Sequence, residues 1–164
     1  MPVFPKRYGD LVARLRVPSG FLLVAAFAGF SEPTTCSLAF GLPVAFVGLA
    51  LRAWAAGHLA KNERLATGGP YAYLRNPLYL GTLIVAAGLT AASRSAALGG
   101  VFLAVFVLVY LPVIQLEEQH LRKLFPEYGE YARRVPSLLP GFRRGGQARQ
   151  SFRASLYVRN QEYQ

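Results

Sequence analysis

The stretch Gly69-Pro70-Tyr71-Ala72-Tyr73-Leu74-Arg75-Asn76-Pro77-Leu78-Tyr79-Leu80-Gly81 decides how this chain is read. It is turn-forming, aromatic and polar, and it is wedged between two apolar runs long enough to enter a membrane. Irregular backbone beside a bilayer is costly, because its N–H and C=O groups have no water to bond. A second costly feature, the acidic pair Glu117-Glu118, follows the next apolar run.

Working outward, four apolar segments stand out, at about Leu11–Phe30, Leu38–Ala56, Leu78–Ala92 and Ala96–Leu116. A helix rises about 1.5 Å per residue, so a hydrocarbon core of about 30 Å takes about 20 residues to cross. Segments one, two and four meet that length; the third is shorter and needs help from the residues before it. The expectation is an all-α, polytopic membrane protein of about four transmembrane helices, capped by a cytoplasmic C-terminal helical part. With 164 residues it is expected to be a single domain, with a basic tail over 141–164. The basic start of the chain resembles a signal peptide, but further long apolar runs follow, so a retained first helix is expected.

Charge placement predicts orientation. The connection Ser31–Ser37 holds no Lys or Arg, and the connection at Ser93-Arg94-Ser95 holds one. The other basic residues lie in the N-terminal arm, the second connection with its flanks, and the C-terminal tail. Excess positive charge stays on the cytoplasmic side. Both termini, the Gly69–Gly81 stretch and Glu117-Glu118 are therefore expected on that face of the inner or plasma membrane, where the two costly features can meet. Small residues such as Ala25, Gly29, Gly41, Gly48, Gly81 and Gly88 permit close helix approach. Short outer connections favour helix hairpins between segments one and two and between three and four. Pro43 belongs in the first turn of the second span or kinks it, and Pro112 is expected to bend the fourth.

Composition removes several chemistries. Cys36 is the only cysteine, so neither an intrachain disulfide nor a cysteine-based zinc site can form. His58 and His120 belong to no metal-ligand spacing, and no metal is expected. No G-x-G, G-K-[ST] or G-x-S-x-G occurs, which removes the dinucleotide, P-loop and nucleophile-elbow signatures. The net charge of +10 would suit nucleic acid, but a basic cytoplasmic edge is ordinary in membrane proteins. A lipid bilayer is the expected partner, and no nucleic acid.

Gly68-Gly69-Pro70 signals a turn, Pro77 biases Asn76 away from helical geometry and suits the first turn of the third helix, and a helix start favours negative ligand groups. Tyr71, Tyr73 and Tyr79 offer flat surfaces that enclose a purine, or else form an interfacial aromatic belt. Glu117 and Glu118 lie about 100° apart on a helix and suit a cationic ligand, or they pair with Arg75. Beyond Glu118 a helical pattern continues through Leu121, Leu124 and Phe125, and a second short amphipathic stretch carries Tyr128, Tyr131 and Val135. A ligand with a purine, a carboxylate and two positive centres matches these residues, and S-adenosyl-L-methionine is such a ligand.

At these residues the chain resembles the isoprenylcysteine carboxyl methyltransferase and phospholipid methyltransferase superfamily of membrane enzymes. The resemblance covers roughly Arg52–Pro140 and rests on three blocks. They are Leu65-Ala66-Thr67-Gly68-Gly69-Pro70-Tyr71, then Leu74–Gly81, then Glu117-Glu118-x-x-Leu121 with Phe125-Pro126-x-Tyr128-x-x-Tyr131 and Val135–Pro140. It implies methyl transfer from S-adenosyl-L-methionine to a lipophilic acceptor entering from the bilayer. The cofactor residues it implies are Glu63, Arg64, Leu65, Ala66, Tyr71, Arg75, Asn76, Pro77, Leu78, Tyr79, Glu117 and Glu118; no catalytic base is implied. Asn76 stands where many members have histidine, so a role needing imidazole protonation is excluded. Val113 stands where the prenylcysteine enzymes tend to have arginine, which argues against a prenylcysteine substrate. The alternatives are a sterol-reductase-like membrane oxidoreductase using NADPH, or a non-enzymatic membrane subunit.

Overall fold

The computed structural model describes residues 6–141 and 151–160. Among them the regular structure is helical and no strand occurs. In chain order the helices are α1 (Lys6–Phe30), α2 (Thr35–Ala56), α3 (Pro77–Ser93), α4 (Ala96–Val105), α5 (Leu111–Leu124), α6 (Tyr128–Arg134) and α7 (Ala154–Arg159). A 3-10 turn covers Gly69–Ala72, and a π-helical turn, Phe106–Tyr110, links α4 to α5. The chain divides into two compact units: the described residues up to Ala45 with Ala86–His120, and Phe46–Val85 with the described residues from Leu121 onward.

In the first unit α1 lies along α4 and the π-helical turn. Helix α2 begins earlier than the apolar pattern alone indicates. Thr34 N–H donates to Ser37 Oγ at 2.9 Å and Ser37 N–H donates back to Thr34 Oγ1 at 3.2 Å, a reciprocal cap that starts the helix at Thr35. Pro43 consequently sits well inside α2 and not in its first turn. The segment then touches α3: a Cβ on Gly41 would stand 2.5 Å from Gly88 O, and one on Gly88 2.5 Å from Ala45 N. Backbone meets backbone there, as the small residues predict. Helices α3 and α4 form the expected hairpin, turning at Arg94 with φ +57° and touching where Gly99 faces the Thr90 side chain.

Proline explains the π-helical turn. Pro112 has no N–H for the Leu108 carbonyl four residues back, and its ring would collide with that carbonyl in a regular helix. The chain inserts a wider turn instead, with Leu111 N–H bonded to Phe106 O. The Leu108 carbonyl is taken by the Tyr8 hydroxyl from α1. A side chain a hundred residues away thus supplies the donor that the proline removed.

In the second unit the start of α3 meets the end of α2. A Cβ on Gly48 would lie 2.7 Å from both Gly81 O and Val85 N. Arg52 Nη1 donates to Thr82 Oγ1 at 2.6 Å and to Leu78 O at 3.4 Å, tying the two helices by polar bonds as well. The helical cap is present: Tyr128, Tyr131 and Val135 are buried around Leu65, with Leu121, Phe125 and Ala132 packed against them. Leu124 is 40% exposed and does not share the face assigned to it with Leu121 and Phe125.

Among the described residues two helical rods are long and apolar enough to cross a membrane, Thr35–Ala56 and Ala96–Leu124, of 22 and 29 residues. Shorter apolar helical stretches are Val17–Phe30, within the 25-residue α1, and α3, of 17 residues. Only 17% and 28% of the apolar windows of the two long rods are buried within the protein, so these are not core helices covered by neighbours. Phe21, Leu22, Phe40, Phe46, Val47, Leu103 and Leu108 are each more than half exposed. At about 1.5–3 kcal/mol per large apolar side chain left in water, such a surface belongs against lipid.

Gly88→Leu is expected to destabilise the protein by about 1–3 kcal/mol, because the new Cβ meets backbone that cannot step aside. Gly100→Leu, whose Cβ meets nothing within 4 Å, is expected to be nearly neutral. Thermal unfolding of both variants in nanodiscs checks the contrast.

Candidate functional site

The site is built on the segment that opens the sequence reading. Gly68 is extended, Gly69 takes the left-handed conformation at φ +55°, and Pro70 fixes the following 3-10 turn. Tyr71 N–H donates to Gly68 O at 3.1 Å, and Tyr73 N–H donates to Pro70 O at 3.1 Å. Pro77 begins α3 as expected, and the Asn76 carbonyl accepts from the Tyr79 and Leu80 amides at 3.2 Å each. Glycine is required at position 69 twice over: φ is positive, and an added Cβ would lie 2.6 Å from His58 Nε2.

The backbone of this segment is less open to a ligand than the proline-rich sequence suggests. Arg75 N–H donates to Pro136 O at 2.9 Å, Asn76 N–H to Ser137 O at 3.1 Å, and Gly141 N–H to Tyr73 O at 2.9 Å. The Asn76 carboxamide nitrogen donates to Ser137 Oγ at 3.0 Å and to Ser137 O at 3.3 Å. The amides near Asn76-Pro77, expected to receive a carboxylate, are therefore paired with the chain that returns from α6. A buried polar backbone has to be satisfied, and the cap satisfies it.

The side chains assigned to a cofactor divide into three environments. Tyr71 is buried with Ala55 and Ala66, with Leu59 and Leu78 packed against them, and its carbonyl accepts from the Tyr131 hydroxyl at 2.8 Å. Leu65, Ala66, Pro77 and Tyr79 are also buried, while Arg64, Arg75, Asn76 and Leu78 are half-buried. Glu63 is exposed and its Oε1 accepts from Arg159 Nη1 at 2.8 Å. These residues all belong to the second unit. Glu117 and Glu118 belong to the first, where both are half-buried on α5. The helix runs on to Leu124, so the pair is not at a helix end emerging into water.

Several contacts that shape this unit escaped the sequence reading. Tyr131 and Ser137 hold the turn from the cap. The tail, expected to serve headgroup attraction, has a docked part: Asn160 Nδ2 donates to Ala56 O at 2.9 Å and Leu59 O at 2.8 Å, and Arg153 N–H donates to Gly57 O at 2.9 Å. These carbonyls lie at and just beyond the end of α2, where the regular helical ladder stops; the Ala56 carbonyl also accepts from the Leu59 amide at 3.3 Å. Nothing local marks Asn160 as a cap for a helix a hundred residues earlier. Arg143, Arg144 and Arg149 lie outside the described residues. Among the described residues no group of three or more His, Cys, Asp or Glu is arranged to hold a metal ion.

A family model described as phospholipid methyltransferase matches residues 44–128, just over half of the chain. The chain belongs to the phospholipid methyltransferase family, and with its long, lipid-suited helices it is membrane-associated. It is similar to the cobalt-zinc-cadmium resistance protein CzcN of Cupriavidus metallidurans, at 41% identity over 102 residues, which are 61% of this chain and 46% of that protein. It is also similar to the nickel-cobalt-cadmium resistance protein NccN of Alcaligenes xylosoxydans xylosoxydans, at 35% identity over 133 residues, 76% of this chain and 62% of that protein. The chain thus matches about half to three fifths of the length of these curated relatives. No solved structure matches it.

Tyr131→Phe removes the donor from a buried carbonyl and is expected to cost about 1–3 kcal/mol. Thermal unfolding in nanodiscs reads the loss, and amide exchange at Tyr71 and Tyr73 reads the loosened turn.

Proposed function

We propose that the chain is an integral membrane methyltransferase that uses S-adenosyl-L-methionine to methylate a lipid-like acceptor arriving from the bilayer. The observation that carries this reading is the phospholipid methyltransferase match over residues 44–128, which contains the glycine–proline turn and the acidic pair. The chemistry of the available side chains fits the cofactor. In a chain of net charge +10, Glu63, Glu117 and Glu118 are three of only eight acidic residues, and they suit a ligand with sulfonium and ammonium centres. The apolar and aromatic Leu65, Ala66, Tyr71 and Tyr79 suit its purine.

The proposed donor-binding residues are Glu63 to Ala66, Tyr71, Arg75 to Tyr79, Glu117 and, as a weaker member, Glu118. The bound cofactor supplies a methyl group on an already electrophilic sulfonium. The protein's own task is then to align the acceptor and exclude water, with no indispensable general base. The Tyr131 bond to the Tyr71 carbonyl and the Ser137 bonds to Asn76 serve that alignment by fixing both ends of the turn. Four membrane spans, with both termini and the site facing the cytoplasm, complete the proposal. The relatives are named for resistance to cobalt, zinc, cadmium and nickel. A methyl transfer that alters a membrane component accommodates such a role without the enzyme itself holding metal.

Membranes containing the chain, supplied with radiolabelled S-adenosyl-L-methionine and native lipid extract, are expected to yield a labelled lipophilic product. Consumption of NADPH with no labelled product would instead identify an oxidoreductase. Glu117→Ala is expected to weaken S-adenosylhomocysteine binding at least about 100-fold, a loss of about 2.7 kcal/mol. Isothermal titration in nanodiscs measures it, and wild-type affinity in the variant would remove Glu117 from the site. Arg75→Ala is expected to lower methyl transfer by loosening the turn; unchanged activity would remove Arg75 from the site.

A further inference from the structure

His58 is 3% exposed, one of two buried polar side chains among the described residues, and nothing in the methyl-transfer reading uses it. Its Nδ1 lies 2.9 Å from the Trp54 carbonyl oxygen, which can only accept, so Nδ1 carries the proton and the ring cannot turn without losing that bond. The Trp54 ring meets it edge-on at 6.2 Å, and the Phe152 ring meets it at 6.0 Å with planes 64° apart. Its Nε2 edge closes directly on Gly69: the Cβ of any other residue there would fall 2.6–2.7 Å from Nε2, Cδ2 and Cε1. Phe152 in turn lies on Gly57, where a Cβ would come 2.0 Å from its Cε2. The C-terminal segment, His58 and Gly69 therefore form one contact chain, with glycine at each end so that the rings can close in.

Glycine at a positive φ is also the position where a turn most readily changes conformation. Tyr71 stands two residues beyond Gly69, and the orientation of the 3-10 turn is set by the Gly69 dihedral angles. We propose that the C-terminal segment is a positioning element of the methyl-donor site. Through Phe152 and His58 it holds Gly69 in the left-handed turn that sets Tyr71, and Arg153 and Asn160 fasten it to the end of α2. The proposal rests on the donor-site reading given above. The Arg159–Glu63 pair adds little, because both partners are at least half exposed. The close contacts that join α2 to α3 at Gly48 and Gly81 are made with Arg52, Val85 and each other, so loosening the segment is expected to leave that helix packing intact.

The test uses the full chain in nanodiscs, with S-adenosylhomocysteine as the probe and Phe152→Ala and Phe152→Leu as the variants. Phe152→Ala is expected to raise hydrogen exchange at the Tyr71 and Tyr73 amides about 10-fold or more. It is also expected to weaken the probe about 10-fold and to move the melting temperature by less than about 2 °C. Phe152→Leu, which keeps most of the bulk, is expected to restore most of the affinity. Unchanged exchange at Tyr71 and Tyr73 would overturn the bracing. So would a rise spread evenly along α2 and α3 with a lowered melting temperature, the mark of a merely structural role. Raised exchange with unaltered probe affinity would separate the brace from the donor site. A wild-type chain with no affinity for the probe would overturn the donor reading itself, and the exchange data would still report on the brace.

Discussion

The second unit depends on satisfying the backbone of an irregular segment that is largely buried. Two prolines and a left-handed glycine prevent residues 68–77 from using regular helical bonds, and the remaining donors and acceptors need partners from elsewhere. The chain supplies them by returning after α6, so that Pro136 and Ser137 accept from Arg75 and Asn76 while Gly141 donates to Tyr73. Three main-chain bonds and the Asn76–Ser137 side-chain bonds fasten the turn to the cap. The burial of Tyr128, Tyr131 and Val135 around Leu65 then holds the cap to the segment it completes.

The same constraint governs the first unit. Pro112 deprives the Leu108 carbonyl of its ordinary partner, and the helix answers with a π-helical turn and a hydroxyl borrowed from Tyr8. At the end of α2, Asn160 and the Arg153 amide serve carbonyls that the helix leaves behind. These three irregularities are each matched by a hydrogen-bond partner from far along the chain. Long-range polar pairing and close glycine contacts, more than a large covered core, give this protein its specific shape within each unit.

For a member of the phospholipid methyltransferase family, this arrangement has a consequence for the site. The turn that carries Tyr71, Asn76 and Tyr79 is held by the cap, and its main-chain amides are largely committed to bonds within the turn or to the cap. In the proposed donor site, recognition by this segment would therefore fall to its side chains and to the shape of the turn. That makes the residues supporting the turn from behind, His58 and Tyr131 among them, as important as those facing a ligand.

Local pattern determined much of this by itself. The helical class, the long apolar rods, the turn at Gly68-Gly69-Pro70, the start of α3 at Pro77 and the amphipathic stretch of Tyr128, Tyr131 and Val135 follow from periodicity and from backbone chemistry confined to a few neighbouring residues. The glycines at 41, 48, 81 and 88 were legible as contact points because only small residues allow such approach. The tertiary structure alone decided which partners these elements take: Ser137 for Asn76, Tyr8 for Leu108, Phe152 for His58, Asn160 for the end of α2. Those choices depend on where distant backbone groups were left unsatisfied, and spacing along the chain carries no trace of that.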